Sequence, residues 1–280
     1  MLCALFLLHM IITSVGDCGI DEYIGEKKSV RPGGISLNFA VHFKKLTPSH
    51  NKVHLLSVIG NDKDAQIVKN VIEEKKIISH LRVIDGNTAR QIISIDPYGE
   101  KKFVSYKAGV LLDFKLNNEE ISILKKSDLI ITPLFNQIEK LFNSIVQVDL
   151  TCIKAIDFMD LSDYGKQTNI VKKYINNFDI AFFGLQISDE KIITELTGIA
   201  KNNEKIIVIT LGGGGSMVID KDNIFKAPAI PIDKIVDTTG AGDAFAAAFL
   251  STYLETKDLH SSQIFATKYA SIIVKQLGSI

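Results

Sequence analysis

The chain has 280 residues, 46% of them hydrophobic, enough for one large core or two modest ones. Its 32 basic side chains balance 32 acidic ones, so no basic excess marks a nucleic-acid binder. The cysteines at 3, 18 and 152 show neither a C-x-x-C pair nor metal-ligand spacing, which points to a reduced, cytoplasmic protein.

In chain order, residues 1–12 are almost wholly apolar. No Lys or Arg precedes the run, His9 interrupts it, and it is too short to span a bilayer, so no membrane anchor is expected. It leads into Thr13-Ser14-Val15-Gly16-Asp17, which reads as the end of a buried strand. The first strand therefore starts at Met10-Ile11-Ile12, and residues 1–9 are an appendage; a cleaved signal would damage that strand. Further strands are expected at 54–59, 129–131, 154–158, 180–183, 206–211 and 216–220. Helical spacing occupies 64–76, 168–177, 242–254 and 261–276. Strands alternating with helices predict an α/β fold, a doubly wound, mostly parallel sheet with helices on both faces. Residues 82–106 break the rhythm: two extended runs, 89–95 and 101–106, flank Asp96-Pro97-Tyr98-Gly99, a turn between antiparallel strands. Such a hairpin serves as a cover, a subunit contact or a decorated sheet edge.

The most informative segment is Asp237-Thr238-Thr239-Gly240-Ala241-Gly242-Asp243-Ala244-Phe245. The apolar stretch that follows is a strong helix former, so Gly240, Ala241 and Gly242 fall at a helix N-terminus, where free amides and the helix dipole favour an anion. Asp243 then lies in the first turn, facing the same pocket. A carboxylate there either caps its helix or accepts the proton of a hydroxyl attacking phosphorus.

As a whole, the nonapeptide resembles the C-terminal signature of the PfkB/ribokinase family of carbohydrate kinases. The resemblance implies a ribokinase-like fold with a small β lid at about 21–32 and 82–108, within one kinase domain over 10–280. It implies transfer of phosphate from ATP with Mg²⁺, with Asp243 as the base and Gly240–Gly242 as the anion hole. Asp237 and Thr239 fall where some members bind a monovalent cation such as K⁺.

A second match lies near the N-terminus. Gly33-Gly34-Ile35-Ser36-Leu37-Asn38-Phe39-Ala40 resembles the family's G-G-x-x-x-N-x-A element. The glycines allow close backbone approach, and Asn38 both donates to and accepts from hydroxyls. Asp21 falls where the family places an aspartate that binds the sugar. Arg90, on the lid hairpin, either meets substrate or stays in solvent. Thr210-Leu211-Gly212-Gly213-Gly214-Gly215 matches T-L-G-x-x-G at the family's nucleotide pocket, giving Thr210, Gly212 and Gly215 as nucleotide contacts, with Ala270 and Ile273 walling the adenine. No G-x-x-x-x-G-K-[ST] occurs, which argues against a P-loop.

There are two departures. The family's N-x-x-E is absent from Phe183-Gly184-Leu185-Gln186-Ile187, with Asp189 and Glu190 just beyond, and Ala65 stands where the family usually has Gly. Gly109-Val110-Leu111-Leu112-Asp113-Phe114, Asp157-Phe158-Met159-Asp160 and the missing N-x-x-E resemble the fructoselysine 6-kinase branch. The implied partners are ATP and a sugar or fructosamine-type adduct, with a second copy of the chain meeting through the lid and no nucleic acid or membrane.

Overall fold

The computed structural model describes residues 9–25 and 28–280; apart from His9, the expected appendage lies outside the described residues. β1 (Ile11–Val15), β2 (Gly19–Ile24), β3 (Ser29–Gly33), α1 (Ile35–Leu46), β4 (Lys52–Ile59), α2 (Lys63–Glu74) and β5 (Ile78–Val83) lead to the hairpin of β6 (Ala89–Ile95) and β7 (Lys101–Lys107). Then come α3 (Asn118–Leu124), β8 (Leu129–Pro133), α4 (Glu139–Val146), β9 (Ile153–Asp157), α5 (Asn169–Lys173), β10 (Ile180–Gly184), α6 (Glu190–Asn203) and β11 (Ile206–Thr210). β12 (Ser216–Ile219), β13 (Ile224–Ala227), α7 (Ala241–Thr256) and α8 (Leu259–Ile273) complete the order.

Nine strands form the main sheet in the order β13-β12-β11-β10-β9-β8-β1-β4-β5. All neighbours run parallel except β11/β12 and β12/β13, which are antiparallel. Central strands such as β8 are buried along their whole length, as expected when helices cover both faces. One face packs Leu37 and Phe43 of α1 and Phe249 of α7 into the largest core cluster. The other packs Phe158, Phe178 and Phe183 beneath α5 and α6, with Phe158 stacked on Phe183 at 5.2 Å between centroids. The expected helix over 168–177 is the short α5 followed by a 3₁₀ turn, Ile175–Asn177. Asn176 and Asn177 are poor helix formers, and Tyr174 turns inward against Phe142.

From β1 the chain builds outward in both directions, toward β4 and β5 and toward β8 to β11. The crevice between β1 and β8 is thus a topological switch point, the usual ligand site of open α/β sheets. The C-terminal ends of β1, β8 and β9 deliver Asp17, Pro133 and Asp157 to its rim.

A second sheet, ordered β3-β2-β6-β7, pairs β2 with β3 and β6 with β7 antiparallel and joins the two hairpins through parallel β2 and β6. Asp62 holds its base, accepting from Thr88 N at 2.9 Å and Thr88 Oγ1 at 2.7 Å. Its far end is docked on the approach to α7: Thr238 N donates to Gly99 O at 3.2 Å, and Lys101 N to Thr238 Oγ1 at 3.3 Å. Tyr23 on β2 adds a buried tie, its hydroxyl donating to Asp237 Oδ2 at 2.8 Å. Replacing Tyr23 with Phe removes one charge-assisted donor without changing shape. The substitution is expected to lower stability by about 1.5–3 kcal/mol, read as an earlier urea midpoint with unchanged m-value.

Candidate active site

Helix α7 begins at Gly240, whose φ of 75° lies in the left-handed region and which offers no side-chain cap. A Cβ at Gly240 would come within 2.4 Å of Ser279 Cβ, so glycine alone lets the loop pass there. The first helical bond runs from Ala244 N to Gly240 O at 2.9 Å, and Ala241 N donates to Thr238 O at 3.3 Å. Among the described residues, the amides of Gly242 and Asp243 have no backbone partner, and the space beside Gly242 is open. An uncapped 16-residue helix with free leading amides is arranged to receive an anion.

Asp243 sits in that first turn and lines a small cleft together with Ser14, Ser36, Phe39, Pro133 and Asp157. Its Oδ2 accepts from Asn38 Nδ2 at 2.7 Å, and its Oδ1 has no protein partner among the described residues. Enclosure by protein, and then the neighbouring Asp157, push its carboxyl up to about 8, against the opposing pull of Asn38 and Lys101. Asp157, at the end of β9, is itself raised to about 6 by burial while accepting from Met159 N at 2.7 Å.

On β2, Asp21 is 4% exposed, and its carboxylate has no hydrogen-bond partner among the described residues. Burial and then Asp17 raise it to about 7, and Lys101 opposes them. A Cβ on Gly33 would fall 2.3–2.4 Å from that carboxyl group, so Gly33 is what leaves the carboxylate room. Gly34 is the N-cap of α1, and Asp17 supplies the missing cap by accepting from Ile35 N at 3.0 Å and Ser36 N at 3.2 Å. That cap orients the helix bearing Asn38.

Asn38 and Asp243 thus meet from the two ends of the chain, while Asp21 lies against Gly33 and Gly34 leads into the helix that bears Asn38. Arg90 goes elsewhere: its guanidinium is engaged by Glu22 and Asp64, an ion cluster between the second sheet and α2. Thr210 ends β11 and donates to Phe183 O at 3.3 Å, and Gly212–Gly215 form a tight turn closed by Leu211 N to Gly215 O at 2.8 Å. Ile273 is packed into the core, and Ala270 is partly exposed. Asp237 is fully buried and accepts from Tyr23, Gly278 N at 2.9 Å and Thr239 N at 2.8 Å. Beside it, Thr239 Oγ1 is buried without a partner among the described residues, an orphaned oxygen that fits a cation ligand. Where N-x-x-E is missing, Glu190 opens α6 and Asp189 accepts from Gln186 N at 2.9 Å. Ala65 lies in the first turn of α2, its amide held by Asp62. Among the described residues no group of three or more His, Cys, Asp or Glu is arranged to hold a metal.

Residues 12–280 match the family described as pfkB family carbohydrate kinase. The chain belongs to that family. Fructosamine kinase FrlD of Bacillus subtilis is 27% identical over 255 residues, covering 89% of this chain and 86% of that protein. Fructoselysine 6-kinase of Shigella flexneri is 24% identical over 96% of this chain and 98% of its own. Among solved structures, adenosine kinase from Sinorhizobium meliloti superposes with a TM-score of 0.83 at 17% identity, covering 97% of this chain and 95% of that one. Ribokinase from Thermotoga maritima gives 0.78 at 21%, covering 96% and 94%. These structures share the ribokinase fold expected from the sequence.

Reading the sequence for this pfkB-family carbohydrate kinase missed three groups that matter to the cleft. Asp17 and Asp157 act on Asp243 through their charge; Asp17 shortly follows β1, and Asp157 ends β9 within a segment read only as a branch resemblance. Lys101 follows the hairpin turn, its Nζ 3.4 Å from Thr238 O, and its charge is felt by Asp21, Asp157 and Asp243. No helix among the described residues is long and apolar enough to cross a membrane.

The raised carboxyls make the unliganded kinase sensitive to pH. Folded Asp243 (about 8) and Asp21 (about 7) hold protons that the unfolded chain, at 3.8, releases, so the unfolded state binds fewer protons and stability falls as pH rises. Buried His42 and His54, lowered to about 4, act in the opposite sense only below their ordinary value of 6.5. Thermal midpoints are therefore expected to drop between about pH 6.5 and 8, and less steeply in Asp243→Asn. A midpoint that climbs across this window would contradict the charge assignment.

Proposed function

We propose that this carbohydrate kinase transfers the γ-phosphoryl group of ATP to a hydroxyl of a sugar or sugar adduct, with Asp243 as general base. One observation carries the reading: a carboxylate with a free Oδ1 stands in the first turn of a helix whose Gly242 and Asp243 amides have no backbone partner among the described residues. Asp243 accepts the hydroxyl proton as the new O–P bond forms and the bond to the bridging oxygen of ADP breaks. The amides of Gly240 and Gly242 face the negative charge on the transferring group, whereas that of Ala241 is taken by Thr238 O. Lys101, held beside Thr238, adds the one positive side chain that the cleft's carboxylates feel. Thr210, Gly212 and Gly215 hold the nucleotide side. Mg²⁺ would arrive with the nucleotide phosphates, held by them more than by protein side chains. Asp237 and the orphaned Thr239 Oγ1 suit a monovalent cation such as K⁺.

Asp21, with room made by Gly33 and Gly34, and the remaining donor and acceptor capacity of Asn38 hold the other hydroxyls. Arg90 serves the lid through Glu22 and Asp64. The second sheet acts as the lid, and its exposed Val30, Phe103 and Val104 suit contact with a second copy in a cytoplasmic homodimer. Four carboxylates, Asp17, Asp21, Asp157 and Asp243, against Lys101 favour a neutral or cationic acceptor over a sugar phosphate. A fructosamine, with its protonated amine, meets that demand, in line with the names of the relatives found in Bacillus subtilis and Shigella flexneri. The missing N-x-x-E favours a second reading, a member that binds these ligands with little turnover.

The deciding experiment measures ADP release with Mg²⁺ over fructosamines, ketoses, pentoses and nucleosides; no release with any acceptor would leave the binding-only reading standing. Asp243→Asn is expected to lower kcat by about 10²–10⁴-fold with the acceptor Kd nearly unchanged by calorimetry. In the wild type, kcat/KM should climb with pH through a midpoint near 8 and level off above it, as the free Asp243 carboxyl loses its proton. Lys101→Ala is expected to cut kcat by about tenfold or more, whereas full activity would remove Lys101 from the transfer step.

A further inference from the structure

We propose that Ser279 and His42 are positioning residues for Asp243, holding the Asn38 amide in the one orientation that donates to the base. The inference rests on the reading of Asp243 as general base and adds residues that this reading does not use.

The geometry is a one-way chain of donors. Asn38 Nδ2 donates to Asp243 Oδ2 at 2.7 Å, so Asn38 Oδ1 faces away and accepts from Ser279 Oγ at 2.9 Å. The backbone carbonyl of Ser279 lies 2.8 Å from His42 Nε2. A carbonyl only accepts, so His42 carries its proton on Nε2, and its bare Nδ1 accepts from Tyr269 Oη at 3.0 Å. Asn38, His42 and Ser279 are 3%, 3% and 1% exposed, so no water competes for these bonds. Ser279 is also wedged against Gly240, where any side chain would strike it.

The consequence follows from what a base must do. During each turnover Asp243 alternates between an ionised form, which only accepts, and a protonated form, which donates. An unrestrained amide would turn over and accept from the protonated form, stabilising it and leaving less of the ionised, proton-accepting form at neutral pH. Donation from Ser279 to Oδ1 opposes that turn, because a flipped amide would lose this bond, and His42 anchors the Ser279 backbone. Asp157, Asp17 and Lys101 set the remaining field at Asp243; Lys45 and Tyr269 face His42, which burial keeps neutral.

The test compares pH profiles of kcat. Ser279→Ala is expected to lower kcat about tenfold at neutral pH, to move the acidic limb up by about one unit, and to leave KM for acceptor and ATP within about twofold. A folded Ser279→Ala with unchanged kcat and limb would overturn the proposal. Long-range ¹H–¹⁵N NMR of the wild type needs no variant: the proton of His42 is expected on Nε2, and a proton on Nδ1 would overturn it equally. Asp243→Asn separates the two levels. If that variant stays active, the base reading fails and this inference with it; if it is inactive while Ser279→Ala is unaltered, this inference alone fails.

Discussion

The hydrogen bond between Asn38 and Asp243 joins residues 205 positions apart and ties the two helices that meet at the cleft. It requires α1, entered from β1 and the lid, to lie against α7, which follows the last strand of the main sheet. Both helices reach the crevice at the switch point between β1 and β8, with their N-termini toward it. A helix N-terminus is an electropositive end with idle donors. At α1 the idle donors are taken by Asp17, which fixes the helix. At α7 they are left free beside Asp243. One end is committed to architecture and the other kept for chemistry.

The electrostatics extend the same division of labour. Burial is the largest cause of the raised proton affinities of Asp21, Asp157 and Asp243, and a neighbouring carboxylate adds to it in each. Asp237, fully buried, accepts from Tyr23, Thr239 and Gly278 and so ties the fold together. Arg90 shows the same logic from the positive side, since Glu22 and Asp64 already engage its charge in joining the lid to α2.

Much of this was legible in the chain because the decisive signals are local. The strand at 11–15, the hairpin about Asp96–Gly99 and the glycines before Asp243 each announce themselves within ten residues, through period, turn chemistry or helix capping. Asn38 was legible as a polar residue on a helix after paired glycines, but its partner was not, since nothing near it points 205 residues ahead. Asp157 and Lys101 look like any charged residue after a strand or turn, and topology alone brings them to the cleft. Ser279 is more opaque still: it acts through its own backbone carbonyl as well as its hydroxyl. The helix read at 168–177 is shorter than expected, for a local reason in Asn176 and Asn177 and a tertiary one in the inward turn of Tyr174.

The tip of the lid hairpin is fastened to Thr238, two residues before the turn that opens α7. The second sheet and the entry to α7 are therefore one mechanical unit. Any displacement of the hairpin tip has to break or stretch the bonds at Gly99 and Lys101, or carry the α7 N-terminus along with it.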